Sequence, residues 1–158
     1  MGNAASLSLS RKPIDGTEEK LYVGREQALA RRSWELVGQH NPDAFDGVYA
    51  ADAVIHEPDQ DLQGLEGLKQ FYSMYLSAFP DQTATVEDVI GEGDKIVTRW
   101  TISGTHQGET EELGPPTGRQ IELEGITIHR IEGGKIVEEW ERYDNLSVLQ
   151  LGLVPEQR

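Results

Sequence analysis

The chain of 158 residues contains no cysteine. This absence excludes disulfide scaffolds, thiol nucleophiles and cysteine-ligated zinc or iron–sulfur sites. Basic side chains are scarce, since 14 Lys and Arg stand against 28 Asp and Glu, and the net charge is −14. Such a charge repels a phosphate backbone, so we expect no nucleic-acid partner.

Long hydrophobic runs are also missing. No run approaches the roughly 20 residues that cross a bilayer, and no secretory signal is visible, so we expect a cytoplasmic protein without a membrane partner.

The composition is that of a globular protein, with 37% hydrophobic and 27% charged residues. The length suits a single domain. Charge divides the chain unevenly, because residues 1–32 carry six basic and four acidic side chains while the remainder is strongly acidic. We therefore predict a disordered tail at residues 1–16 and one folded domain at 17–158. Residues 1–6 fit a myristoylation pattern, but the pattern is short and a plain disordered tail is preferred.

Hydrophobic spacing predicts helices in the first half of the domain. Apolar residues recur at i, i+4 and i+7 in the first helix, and a continuous apolar stripe ended by Pro80 marks the last. The predicted helices are residues 17–39, a short helix that starts at Pro42 and buries Phe45, Val48 and Tyr49, and residues 65–79. A brief extended segment, 53–56, lies between the last two.

The second half of the chain changes to the period and composition of strands, rich in Val, Ile, Thr and Trp. Glycine-rich turns at 91–94 and 132–134 predict hairpins. The predicted strands are 83–90, 95–106, 120–131 and 135–143, followed by a helical turn within 146–151. Helices first and antiparallel strands afterwards predict an α+β fold. In it, the helices pack on one face of a curved, mostly antiparallel sheet and leave an internal cavity for a small ligand.

Familiar catalytic motifs are missing. The sequence has no G-x-S-x-G elbow, no phosphate-binding G-x-x-x-x-G-K-[ST] loop and no H-E-x-x-H spacing among its four histidines. Acid–base chemistry by His, Asp or Glu in an apolar pocket is what remains, and a three-histidine metal site is geometrically possible but not favoured. The run of Glu138, Glu139 and Glu141 is interpreted mainly as a solvated face, with room for one member to turn inward.

Asp144, at the end of the last predicted strand, is the leading acid–base candidate. Strand alternation places it on the face of Trp140 and Arg142, where poor solvation would raise its pKa. The competing interpretation is that Asp144 or Asn145 caps the following helical turn, and the residues alone favour such a cap.

An ordered set of short motifs favours the catalytic interpretation of Asp144 over the helix cap. The set is Phe79-Pro80-Asp81, Gly93-Asp94-Lys95, Gly104-Thr105-His106-Gln107-Gly108-Glu109, Pro116-Thr117-Gly118, Gly134-Lys135-Ile136-Val137-Glu138-Glu139-Trp140 and Asp144. It resembles the SnoaL-like polyketide cyclases, also called ester cyclases, over residues 21–153. The resemblance implies the cone fold of nuclear transport factor 2, homo-oligomers that are most simply homodimers, and a cavity for a small hydrophobic or aromatic polyketide-like ligand.

The resemblance also implies a reaction. These cyclases close a ring by intramolecular aldol condensation of a polyketide ester without metal or cofactor, and their acid–base aspartate matches Asp144. We therefore expect Asp144 and His129 to be catalytic. The residues expected to bind substrate are His56, Trp100, His106, Trp140, Arg142 and Tyr72. Two alternatives stay open, namely a non-catalytic small-molecule-binding member and a hydroxylase-like relative acting on an aromatic polyketide.

Overall fold

The computed structural model describes residues 16–144 and 146–149, with side chains described for 24–144, 146 and 148. Almost all of the predicted tail, including the myristoylation-like residues 1–6, therefore lies outside the described residues. The elements, in chain order, are α1 (Gly16–Gly38), a 3₁₀ helix (Pro42–Gly47), β1 (Tyr49–His56), β2 (Asp61–Gln63), α2 (Gly64–Ala78), β3 (Thr83–Glu92), β4 (Lys95–Thr105), β5 (Gln120–Glu132), β6 (Lys135–Tyr143) and α3 (Leu146–Leu149).

The six strands form one sheet in the order β2-β1-β6-β5-β4-β3. All neighbouring strands are antiparallel except β1 and β6, which are parallel. The sheet is curved and open, and α1 and α2 pack against it. The predicted α+β class, with helices on a curved and mostly antiparallel sheet, is confirmed.

Strand β5 shows why one face of the sheet is covered. Its side chains alternate between exposed and buried along Gln120–Glu132, as expected for a strand with one face on a core. The buried positions begin with Ile121 and Leu123 and end with Ile131. Helix α2 supplies the opposing wall through Leu65, Leu68 and Tyr72, which its helical period puts on one side.

Most predicted boundaries agree with these elements to within two residues, but the region between the main helices differs. The short helix is a 3₁₀ helix that ends at Gly47, and Tyr49 begins β1 instead of lying in a helix. Pairing overrides local propensity here, because Ile136 donates its backbone N–H to the Val48 carbonyl at 2.9 Å and holds the start of β1 beside β6. Strand β2 was not predicted at all.

Within the part of the chain described by the structure, every helix is too short or too polar to cross a membrane.

Candidate active site

A cavity of about 120 Å³ lies between the concave face of the sheet and the two main helices. Its volume is of the order of the ~150 Å³ that holds a benzene-sized ligand. Aromatic and aliphatic side chains form most of the wall, and a few polar groups converge on it. The lining residues are Ser33, Trp34, Val37, Phe45, Tyr49, Glu57, Leu68, Phe71, Tyr72, Tyr75, Phe79, Gln82, Trp100, Ile102, Gly104, Ile121, Leu123, His129, Glu139, Glu141 and Tyr143.

Glu139 is the centre of the polar group. It projects inward from β6 opposite His129 of β5, and its carboxylate Oε2 lies 2.8 Å from His129 Nε2. The Tyr49 hydroxyl of β1 donates to the same oxygen at 2.7 Å. Glu139 is 4% exposed and His129 is 1% exposed, so three neighbouring strands bring a charged group and its partners together out of solvent. Buried charges persist only when paired in this way.

Glu141, two residues further along β6, projects into the same cavity. Thr127 donates its hydroxyl to Glu141 Oε2 at 2.7 Å, and the Trp100 indole N–H donates to that threonine oxygen at 2.8 Å. The Glu141 carboxyl is also hydrogen-bonded to Glu139. The indole of Trp100, the hydroxyl and both carboxyls therefore form one connected network across β4, β5 and β6.

Glu57 follows β1 and is the third carboxyl in the wall. Tyr143, near the end of β6, donates its hydroxyl to Glu57 Oε2 at 2.9 Å. Tyr75 of α2 lies beside this pair, and burial raises the pKa of its hydroxyl to about 12. The phenol groups consequently stay protonated and act as hydrogen-bond donors at neutral pH.

The three carboxyls differ in their protonation. Burial opposes ionisation of Glu139, but the His129 imidazole and the hydrogen bonds it receives hold its pKa below the usual range. Burial and the adjacent Glu139 carboxylate raise the pKa of Glu141 well above that range. Burial raises the pKa of Glu57 to about 7, although the Tyr143 hydrogen bond acts in the opposite direction. The cavity thus holds three carboxyls whose pKa values are displaced differently, that of Glu139 downwards, that of Glu141 well upwards and that of Glu57 to about 7.

Three of the residues predicted for the site lie in this cavity. His129 pairs with Glu139, Trp100 forms part of the wall, and Tyr72 donates its hydroxyl to the backbone carbonyl of Val37.

The other predicted site residues lie elsewhere. His56 is on the outer face of the sheet, stacked on Trp140 with ring centres 5.6 Å apart and hydrogen-bonded to Glu138. Arg142 is exposed and donates to the Glu141 carbonyl at 2.6 Å. His106 is buried, with Nδ1 3.1 Å from the Thr117 hydroxyl, but does not line the cavity.

Asp144 is exposed, and its Oδ1 accepts the backbone N–H of Leu146 at 2.9 Å. This contact is the helix cap that the residues alone favoured. The catalytic role that the family resemblance implies for Asp144 stays a prediction.

The interpretation of the glutamate run as a solvated face was wrong for two of its three members, because Glu139 and Glu141 are buried. The register shifts between β5 and β6, where Ile131 pairs with Ile136 but Arg130 pairs with Glu138. Val137 is therefore an extra residue that reverses the alternation, and the odd-numbered positions that follow it face the cavity. Glu57 gave no signal in the sequence beyond its place after a predicted strand.

No cluster of three or more His, Asp or Glu side chains with metal-binding geometry occurs among the residues whose side chains are described.

Gly125 of β5 keeps Trp100 in the cavity wall. A methyl group at this position would lie 2.2 Å from Trp100 Cζ2, so the indole can cross the strand only where no side chain exists. We expect Gly125→Ala to displace the indole, break its bond to Thr127 and lower the free energy of unfolding by about 1–3 kcal/mol. Chemical denaturation and Trp fluorescence measure both effects. Gly24→Ala, with open space around the added methyl, is the control; an equal effect of the two variants would contradict this account.

The curved sheet, the two helices and the cavity between them define a protein of the nuclear transport factor 2 class. The chain belongs to the SnoaL-like polyketide cyclase family, whose model matches residues 27–151. Both the fold and the family resemblance inferred from the sequence are thereby confirmed.

Solved structures agree with this assignment. IdmH from Streptomyces antibioticus, described as a candidate polyketide cyclase, is 30% identical, with 82% of this chain and 99% of IdmH covered and a TM-score of 0.69. TsrD from Streptomyces laurentii is 26% identical over 83% of this chain and 97% of its own, with a TM-score of 0.72. A candidate SnoaL-like cyclase from Jannaschia sp. CCS1 shares the fold at 20% identity, with 92% and 97% covered and a TM-score of 0.75. A search of curated protein sequences gives no match.

Proposed function

We propose that this protein is a cofactor-free acid–base catalyst that closes a ring in a polyketide ester by an intramolecular aldol-type reaction. The observation that carries the proposal is the set of three buried carboxyls with different protonation in one apolar cavity. Glu57, whose pKa is raised by burial to about 7, is suited to accept a proton at neutral pH. Glu141, kept protonated by burial and by Glu139, is suited to donate a hydrogen bond.

The proposed reaction begins with ionised Glu57 removing a proton from a carbon beside a carbonyl group. The electron pair of that C–H bond moves onto the carbonyl oxygen, where the protonated Glu141 stabilises the resulting enolate. The enolate carbon then attacks a second carbonyl carbon of the same molecule, and a new C–C bond forms. The alkoxide produced takes back the proton held by Glu57, so the enzyme ends in its starting state.

The cavity wall contributes by orientation. A polyketide chain must fold so that the two reacting carbons approach, and walls of aromatic side chains on two sides restrict the conformations it can adopt. The network of Tyr49, His129 and Glu139 fixes the negative charge that keeps Glu141 protonated. These residues act through Glu141, as positioning groups.

The test is turnover of aromatic polyketide methyl esters by purified Glu57→Gln, Glu141→Gln and Asp144→Asn variants. We expect Glu57→Gln to lower kcat/KM by roughly 10²–10⁴-fold, because the proton acceptor is lost. In the parent enzyme kcat/KM should rise with pH through an apparent pKa near 7, and the Glu57→Gln profile should lose this rise. Glu138→Gln, on the outer face of the sheet, is the matched control.

A normal rate and an unchanged pH profile in Glu57→Gln would refute the role of Glu57. If Asp144→Asn alone abolished turnover, the acid–base role would belong to the residue that the family resemblance identifies. Tight binding of the esters without turnover in the parent would instead favour a non-catalytic binding protein. The homodimer and the cytoplasmic location stay predictions.

A further inference from the structure

The three cavity carboxyls differ in how their oxygens are occupied. Glu139 and Glu141 are hydrogen-bonded to each other and to further side chains of the sheet. Glu57 uses one oxygen, Oε2, to accept the Tyr143 hydroxyl at 2.9 Å. Its other oxygen, Oε1, has no hydrogen-bond partner among the described residues, yet it is not one of the enclosed polar atoms that lack a partner. Oε1 is therefore accessible, and it belongs to a side chain that lines the cavity.

The backbone places Glu57 at the cavity but does not fix its carboxylate. The Glu57 N–H donates to the Gln60 carbonyl at 2.9 Å, which closes the turn between β1 and β2. The side chain beyond the backbone has several rotatable bonds, and holding it in one rotamer costs conformational entropy. The Tyr143 hydroxyl is the one hydrogen-bond donor to this carboxylate within the described residues, so it determines where the carboxylate lies.

Tyr143 is itself held by the cavity wall. It follows Glu141 by two residues on β6, and its ring packs against Trp100 with ring centres 5.9 Å apart. The same indole donates its N–H to Thr127 at 2.8 Å, and Thr127 donates to Glu141. One indole therefore supports Glu57 through Tyr143 and Glu141 through Thr127. Catalytic groups supported by packed neighbours keep the geometry that proton transfer needs.

The Tyr143 hydroxyl also favours the ionised form of Glu57. The ionisable groups that face Glu57 come from three parts of the fold, namely Glu139, Glu141 and Tyr143 of β6, Tyr75 of α2 and Asp59 of its own turn. Burial and the carboxylates of Glu139 and Asp59 raise the pKa of Glu57, whereas the hydrogen bond from Tyr143 lowers it. A hydrogen bond to the charged form of an acid stabilises that form, so Tyr143 opposes the other influences on Glu57.

We propose that Tyr143 is the positioning residue of Glu57: its hydroxyl holds Oε2, and Oε1 is the atom that takes the proton from the substrate carbon. This inference rests on the proposed function, in which Glu57 removes that proton. The C–H electron pair moves onto the substrate carbonyl oxygen while the proton binds Oε1, and Tyr143 keeps its own hydrogen throughout. Burial raises the pKa of Tyr143, so the phenol stays a donor over the working pH range.

The first experiment needs no substrate. Tyr143→Phe keeps the ring against Trp100 and removes the hydroxyl, and ¹³C NMR of protein labelled at the glutamate carboxyl carbons follows the titration of Glu57, whose signal is assigned with Glu57→Gln. The pKa of Glu57 should rise by about one unit, as expected for a lost hydrogen bond to a charged group. Tyr72→Phe removes another cavity hydroxyl, one that donates to the Val37 carbonyl, and should leave the titration of Glu57 unchanged.

The second experiment measures turnover of the polyketide methyl esters. The loss of kcat/KM in Tyr143→Phe should be about tenfold greater at pH 6 than at pH 9, because less of Glu57 is ionised at the lower pH. In the Glu57→Gln background, Tyr143→Phe should change the residual turnover by less than about twofold, since Tyr143 acts through Glu57. A purely structural role of Tyr143 would lower turnover equally at both pH values and in both backgrounds.

The inference is overturned if the titration of Glu57 is the same in Tyr143→Phe and the parent, or if the loss of kcat/KM does not depend on pH. Loss of turnover in Glu57→Gln together with an unchanged titration in Tyr143→Phe would uphold the proposed function and overturn this inference. Normal turnover in Glu57→Gln would refute the proposed function and the role of Oε1 with it, while a shifted titration in Tyr143→Phe would still show that Tyr143 holds the carboxylate.

Discussion

Replacing Glu139 with alanine is expected to lower the free energy of unfolding by about 3–5 kcal/mol, because it removes the shared acceptor of a buried hydrogen-bonded cluster. The carboxylate is 4% exposed and receives the Tyr49 hydroxyl at 2.7 Å as well as His129 Nε2 at 2.8 Å. Its loss leaves an imidazole and a phenol in the interior without their acceptor, and desolvation of both is then uncompensated. Urea denaturation at pH 7, followed by circular dichroism, measures the change.

Glu138→Ala is the matched control for this variant. Glu138 lies on the outer face, and its side chain is 25% exposed while it pairs with His56 at 2.9 Å and Arg130 at 3.2 Å. Pairs with this access to water contribute about 0–1 kcal/mol. Glu139→Gln keeps the shape and one acceptor oxygen, so it should fall between the two alanine variants. Equal losses in Glu138→Ala and Glu139→Ala would contradict the central role given to Glu139.

The fold was predictable because its local signals agree with one another. The stripe of Leu65, Leu68 and Tyr72 marks α2, and β5 alternates between buried and exposed positions over its whole length. Glycines in the turns supply the positive φ that tight hairpins need, as at Gly133, where φ is 59°. Helices followed by hairpins leave few arrangements other than a helix layer on a curved sheet.

The site was less predictable, because one inserted residue decides which face of β6 lines the cavity. Strand alternation without a bulge puts Trp140, Arg142 and Asp144 on one face, and that face was predicted to line the cavity. The bulge at Val137 adds one residue to β6, so Glu139 and Glu141 point inward instead. A bulge depends on the register between two paired strands. The sequence of either strand by itself does not predict it.

Burial of carboxyls is the second reason. Sequence reasoning treats a run of glutamates as solvated because ionised side chains are rarely buried. Here Thr127, Tyr49 and His129 reach the carboxyls from other strands, and those partners are brought together only by the fold. His129 could be singled out as a histidine within a strand, but its partner could not.

The stability of this protein is expected to fall as the pH rises from about 4.5 to 7, and Glu57 contributes to this fall. Burial raises its pKa in the folded state to about 7 from 4.5. Over that interval the folded state retains a proton that the unfolded state has lost, so rising pH favours unfolding. A pKa difference of this size lowers the free energy of unfolding by about 3 kcal/mol. The loss builds up over this interval and is complete once the pH exceeds the folded-state pKa. Glu141, whose pKa burial also raises, acts in the same direction.

Glu57→Gln removes this titration and should therefore be more stable than the parent at pH 8 by up to about 3 kcal/mol, with little difference at pH 4.5. The amide can still accept the Tyr143 hydroxyl. Urea denaturation of both proteins at pH 4.5, 6, 7 and 8 measures the difference. Glu138 gives a control of opposite sign, since its hydrogen bond from His56 lowers its pKa and its contribution is lost as the pH falls. Parallel curves for the parent and Glu57→Gln would show that Glu57 titrates normally. A steeper curve in the parent would show that the carboxyl suited to accept a proton at neutral pH is also the one that costs the fold stability there.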